Sequence, residues 1–105
     1  MKKILILSLL FSGYLQAQNV TIPDANFKAK LLSSNTFNTI AYGNGSYLKI
    51  DQNDDGEIQV AEAVVIDSLN VPFSNIVDFS GISDFTNLKK INCSNNQINN
   101  LNVTN

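Results

Sequence analysis

Between residues 51 and 62 the chain reads D-Q-N-D-D-G-E-I-Q-V-A-E, and oxygen-bearing side chains recur there at intervals that suit a hard divalent cation. Counted from Asp51, they fall at positions 1, 3, 5 and 12 as Asp51, Asn53, Asp55 and Glu62, with Gly56 at position 6 and Ile58 at position 8. Such a cation needs several oxygens around it. A short loop supplies them only if the backbone turns sharply between positions 5 and 7, which glycine permits. On this pattern Glu57 offers its backbone carbonyl, Gln59 binds directly or through a water, and Glu62 closes the site with both carboxylate oxygens. The predicted ion is Ca2+. A solvated acidic turn accounts for Asp54-Asp55-Gly56, but it leaves the carboxylate at position 12 and the aliphatic residue at position 8 unexplained.

Other chemistry has little to stand on. The 105 residues contain no histidine, which removes the commonest general base and the commonest transition-metal ligand. Cys93 is the single cysteine; with no histidine to partner it, and in an apolar-periodic position, it reads as a small buried hydrophobe rather than a nucleophile. No enzyme is predicted from these residues. Seven basic residues against nine acidic ones give no basic patch for nucleic acid or an anionic membrane. Five of the nine acids lie within residues 51–62, so the acidity is mostly that of the loop itself.

The segments around the loop must position it. Lys2 and Lys3 precede an apolar run from Ile4 to Leu15 that ends at Gln16-Ala17-Gln18, the pattern of a secretory signal peptide with cleavage after Ala17. A membrane span would need about 20 uninterrupted apolar residues, and Ser8, Ser12, Gly13 and Gln16 interrupt this run. Removing residues 1–17 leaves 88 residues, one small domain, with five basic against nine acidic residues and a net charge of −4. The mature protein is expected to be secreted or held at the cell surface, with no membrane insertion. No internal disulfide is available to it, so a bound ion is one source of the stability that small secreted domains need.

Asp24 is a natural N-cap for a short helix through Leu32, with Phe27 and Leu31 on one face and Lys28 and Lys30 on the wet side. The helix stops in Ser33-Ser34-Asn35. From Thr36 to Ile50 the apolar residues are scattered around the turn signal Gly43-Asn44-Gly45-Ser46, and no full helix fits between Ser46 and Asp51. That departs from a standard EF-hand and argues against a conformational sensor. After the loop, residues 60–66 are apolar enough for a short exiting helix that carries Glu62.

The rest repeats. Ile66, Leu69, Val71, Ile76 and Phe79 are matched 22 residues later by Leu88, Ile91, Cys93, Ile98 and Leu101. The spacing follows the leucine-rich repeat pattern L-x-x-L-x-L-x-x-N-x-I, in which alternating apolar residues point inward from a short strand and the asparagine hydrogen-bonds the bend. Asn96 fits that role, and Ser74 replaces it in the first copy. Flanking the inward positions are Ser68, Asn70 and Pro72, then Lys90, Asn92 and Ser94, the predicted binding face. Sequons at Asn19, Asn44, Asn92 and Asn102 read as coincidences of an Asn-rich chain.

With Ile22-Pro23-Asp24 at the helix start, Phe85-Thr86-Asn87-Leu88 leading into a strand and Asn96-Gln97-Ile98 leaving it, residues 20–105 resemble the internalin-type leucine-rich repeat proteins of bacterial surfaces. The resemblance implies an α+β architecture. A helical N-terminal cap with an EF-hand-like calcium loop, residues 18–65, would lead into a solenoid of short parallel strands from residue 66, with a concave β face that binds a partner. Because residues 66–105 hold fewer than the three or so repeats a solenoid needs, they are expected to be the start of a longer array. The implied function is protein–protein interaction or adhesion, through an unnamed protein or glycan ligand on the concave face. The alternative is a calcium-binding accessory module of a longer secreted enzyme.

Overall fold

The computed structural model describes residues 18–98. The predicted signal peptide, the Leu101 repeat position and the Asn102 sequon lie outside the described residues. In chain order the elements are helix α1 (Ala25–Leu32), strands β1 (Ala41–Gly43) and β2 (Ser46–Tyr47), helix α2 (Val60–Ala63), strand β3 (Ser68–Asn70), a 3-10 turn (Ile82–Asp84) and strand β4 (Lys90–Asn92). The strands form one sheet in the order β2-β1-β3-β4.

Helix α1 begins and ends as its residues dictate. The Asp24 backbone is extended and its side chain accepts the Phe27 N–H at 2.8 Å, satisfying one of the free donors of the first turn. Phe27 and Leu31, four residues apart, are fully buried, each contributing roughly 1.5–3 kcal/mol relative to exposure. At the other end the Ser33 N–H closes on the carbonyls of Ala29 and Lys30. The second Asp24 oxygen leaves the helix and accepts the N–H groups of Val77 (2.9 Å) and Asp78 (3.1 Å), joining α1 to the chain between β3 and β4.

The turn at Gly43-Asn44-Gly45-Ser46 makes a hairpin. Asn44 and Gly45 both have positive φ (53° and 83°), the requirement of the tight turn whose twist suits antiparallel strands. Tyr42 pairs with Tyr47 and their rings meet edge-on at 5.2 Å. On its other side β1 runs antiparallel to β3, with Ala41 opposite Leu69. At the end of β1 a glycine is required, because a Cβ on Gly43 would lie 2.1 Å from the Val65 carbonyl oxygen.

Strands β3 and β4 are parallel, and Ser68, Leu69 and Asn70 pair with Lys90, Ile91 and Asn92, an offset of 22 residues at every pair. The bend after β4 is tied by Asn96. Its Oδ1 accepts the N–H of Ser74 (2.8 Å) and of Ile76 (3.1 Å), and its Nδ2 donates to the carbonyls of Val71 (2.8 Å) and Cys93 (3.0 Å).

The expected repeat solenoid is corrected by this sheet. The described residues form a small α+β unit with a four-stranded mixed sheet, two helices and one parallel pair. A solenoid stacks every strand in parallel on the next copy. Here the outer edge of β3 is taken by β1, a strand from outside the repeat that runs the opposite way, and β1 carries a hairpin partner rather than a further repeat. Among the described residues, then, neither a solenoid nor its concave face is formed. The exiting helix is also shorter than residues 60–66, ending at Ala63 with Val64 as its C-cap.

One apolar cluster holds these pieces together and draws on both sides of residue 65. Phe27 of α1 meets Phe79 edge-on at 4.7 Å, and both are fully buried. Cys93 is half-buried and packs against this cluster with Leu88, Ile91 and Ile98.

Candidate metal centre

Residues 51–62 are anchored at three points before any ion is considered. Ile58, at the eighth position, is fully buried in the core. Around it the segment from Gln18 to Val20 pairs with the loop: the Val20 N–H donates to the Ile58 carbonyl at 2.7 Å, and the Val60 N–H to that of Gln18 at 3.0 Å. At the loop entrance Ile50 is buried and its N–H is held by the Ser34 hydroxyl at 3.0 Å. The aliphatic residue at position 8 therefore has a structural duty, which a bare acidic turn would not need.

The loop backbone coils about Asp51. Asp51 is 5% exposed, and its carboxylate accepts the N–H of Asp55 at 3.3 Å and of Gly56 at 3.0 Å. Asp54 and Gly56 take left-handed conformations, φ 56° and 77°, so the chain reverses where glycine was expected to let it. Glu62 spans the two ends: one oxygen accepts the Gln52 N–H and the other the Gln59 N–H, each at 2.9 Å. The second bond caps the first turn of α2.

Gln59 is 8% exposed and lies at the centre of the side-chain network. Its Nε2 donates to Asp55 Oδ2 and to Asn19 Oδ1, each at 2.8 Å, while its Oε1 accepts from Asn53 Nδ2 at 3.3 Å. The Glu57 N–H, outweighing the burial that opposes it and helped by the Gln59 amide, holds the Asp55 carboxyl below the ordinary carboxylate range. Two lysines complete the charge pattern. Lys28 Nζ meets Glu57 Oε1 at 2.8 Å, tying α1 to the seventh loop position, and Lys49 pairs with Asp54, whose side chain points away from the loop interior into solvent.

The structure thus brings Asp51, Asn53, Asp55, Glu57, Gln59 and Glu62 into one loop, but each carboxylate is satisfied by N–H donors. Among the described residues no group of three or more acidic, histidine or cysteine side chains is gathered closely enough to hold a metal ion. The donor set is all oxygen, the kind a hard cation such as Ca2+ takes, but the side chains hold the hydrogen bonds of a loop braced by its own amides. Sequence reading missed two contributors. Asn19 lies 40 residues from Gln59 and outside the loop pattern, and Lys28, expected on the wet side of α1, reaches Glu57. No signal in the loop motif could have found either.

Of the residues expected to meet a ligand, Ser68, Asn70, Lys90 and Asn92 lie on the paired strands β3 and β4. Ser68 and Asn70 flank buried Leu69, and Lys90 and Asn92 flank Ile91. Asn92 Nδ2 donates to Asn70 Oδ1 at 2.9 Å, the Ser94 hydroxyl donates to Asn92 Oδ1 at 2.8 Å, and Asn70 Nδ2 reaches Thr39 Oγ1 at 3.4 Å. This is a short polar ladder whose side chains bond chiefly to one another. No family model, curated protein or solved structure matches the chain. What defines it is its own architecture, a small α+β unit with a braced acidic loop beside a mixed sheet.

Proposed function

We propose that this chain is an exported, non-catalytic recognition module in which a calcium ion in the 51–62 loop acts as a structural brace. The observation that carries the reading is the winding of the loop backbone about Asp51, with the left-handed Gly56 at its sixth position and Glu62 closing both ends. Asp51, Asn53, Asp55, the Glu57 carbonyl, Gln59 and Glu62 would hold the ion, which supplies positive charge and no reaction. On entering, it would compete with the Gln59 amide for Asp55 and with the Gln52 and Gln59 N–H groups for the Glu62 carboxylate. That competition argues for weak, extracellular-type affinity, about 0.1–1 mM. At ~1 mM free calcium and a dissociation constant of ~0.1 mM, the bound fold gains roughly 1.4 kcal/mol.

Export is supported by the signal-like residues 1–17, and recognition by the polar ladder of Ser68, Asn70, Lys90, Asn92 and Ser94, which suits a protein or glycan ligand. Calorimetric titration with calcium and magnesium, alongside thermal melts in calcium and in chelator, tests the ion. A calcium-dependent rise in melting temperature that magnesium does not reproduce is expected. Identical melts in calcium and chelator reject the brace.

A further inference from the structure

Strand register sets two tyrosines beside the polar ladder. Tyr47 of β2 is paired with Tyr42 of β1, Tyr42 with Ser68 of β3, and Ser68 with Lys90 of β4. Residues directly opposite one another across a sheet project to the same face, so these four form one row over all four strands, roughly 14 Å long at about 4.8 Å per strand. The other face is the core side: Ala41 and Gly43, on either side of Tyr42, are buried, and so is Leu69 beside Ser68. Two residues along β3, Asn70 returns to the same face and carries the ladder to Thr39 and Asn92.

The tyrosine rings meet edge-on at 5.2 Å, so each limits the other's rotation, and Tyr47 is 44% exposed. Strands β1 and β3 are each hydrogen-bonded on both sides. A ligand laid over them therefore meets side chains and not main-chain donors. Those side chains offer aromatic surface next to a hydroxyl and an amide, groups that both donate and accept. A sugar presents the complement, C–H groups that lie on an aromatic face and hydroxyls that donate and accept in turn. An apolar protein anchor would instead desolvate the Ser68 hydroxyl and the Asn70 amide without pairing them. Charge points to a neutral partner: the chain carries a net charge of −2, and of the four residues in the row only Lys90 is charged.

We propose that Tyr47 and Tyr42, with Ser68 and Asn70, form a binding site for a neutral glycan, whose sugar rings stack on the tyrosines and whose hydroxyls bond the serine and the amide. The inference rests on the recognition reading above and narrows it to one class of ligand. It makes no use of the calcium loop.

Tyrosine emission tests it directly. The chain has no tryptophan and three tyrosines, Tyr14, Tyr42 and Tyr47, so a full chain carrying Tyr14→Phe reports on the pair alone. It is titrated with cellohexaose, xylohexaose and mannohexaose, and calorimetry reads the same titrations in the variants. Expected is a saturable change in emission with at least one of these sugars, unaffected by added salt because no ion pair forms. Tyr47→Ala weakens binding about tenfold or more, whereas Tyr47→Phe, which keeps the ring, changes it less than about threefold. Phe73→Ala, at an exposed aromatic outside the row, changes it less than about twofold. Saturation with none of the three sugars overturns the proposal, as does binding that survives Tyr47→Ala or falls equally with Phe73→Ala. Loss on Asn70→Ala with none on Tyr47→Ala removes the tyrosines from the site and leaves recognition by the polar ladder standing. Preference for polygalacturonate that salt abolishes overturns the neutral ligand in favour of an anionic one held at Lys90.

Discussion

The Asp24 carboxylate accepts the Val77 N–H at 2.9 Å across 53 residues of chain, while its other oxygen caps the helix that begins beside it. One buried side chain thus terminates a helix and fastens a distant loop. Asp24→Ala removes an N-cap and leaves the Val77 and Asp78 donors unpaired, and is expected to cost about 3 kcal/mol in chemical denaturation. Burial alone would raise the Asp24 carboxyl, but the Phe27, Val77 and Asp78 N–H groups together outweigh it and hold it below the ordinary range. A carboxyl lowered in the fold contributes stability that is present above its unfolded value near 3.8 and is lost as pH falls through the folded value. Stability of the wild type should therefore fall with pH below about 4, and Asp24→Asn should flatten that acid limb. An unchanged limb in the variant would assign the acid loss elsewhere.

Asn96 is the second knot. It donates to the carbonyls of Val71, Cys93 and, more weakly, Ser94 and accepts from two N–H groups, joining the bend after β4 to the bend after β3. Asn96→Ala should cost about 2–3 kcal/mol by urea titration. Asn96→Asp should do no better, since a carboxylate keeps the acceptor but loses the donor to Val71 and Cys93. If aspartate restores wild-type stability, the amide donor is not what holds the bend.

How far the fold could be read from the residues differs by element, for physical reasons. Helix α1 was legible because its cap, its stripe and its stop are local: Asp24, Phe27 with Leu31, and Ser33. The β3–β4 register was legible because a 22-residue spacing brings Leu69 to Ile91. The hairpin was not. Its strands are three and two residues long, too short for alternation to register, so Gly43-Asn44-Gly45-Ser46 read as a turn without strands. The solenoid expectation failed because a repeat specifies how one copy meets the next and is silent on what takes the outer edge of the first. The loop was legible through its spacing, whereas the amide network at Gln59 depends on Asn19, a partner that only folding brings near.

Two glycines of the hairpin should respond differently to alanine. At Gly43 an added Cβ meets the Val65 carbonyl at 2.1 Å, and backbone must move to admit it. At Gly45 the space is open and only the positive φ is unfavourable. Gly43→Ala should cost about 3 kcal/mol and Gly45→Ala about 1 kcal/mol, read from denaturant midpoints at constant slope. Equal losses would remove the argument for close approach between β1 and the chain at Val65.

Glu62 and Asp54 separate the loop's own bracing from its proposed ion. Both Glu62 oxygens accept N–H groups, and a glutamine offers a single acceptor oxygen, so Glu62→Gln should lower stability by about 1 kcal/mol even in chelator. In calcium the loss should be larger, because the closing carboxylate goes too. Asp54 faces solvent beside Lys49, and Asp54→Asn should leave both melts within about 0.5 kcal/mol of wild type. Differential scanning calorimetry of the two variants with and without calcium gives the comparison. Equal loss from both would dismiss Glu62 as the closing group.

The order β2-β1-β3-β4 also governs how the chain folds in time. Strand β1 must wait for β3, with the whole acidic loop and α2 threaded between them, and the Asn19–Gln59 bridge and the Asp24–Val77 bond close over 40 and 53 residues. Apart from α1 and the β1–β2 hairpin, little can form from neighbouring residues alone, and non-local closures of this kind slow folding because loop entropy is lost before contacts repay it. An emerging chain therefore stays loose until β3 and β4 have both been made, so that α1 and the hairpin wait for partners that lie later in the sequence.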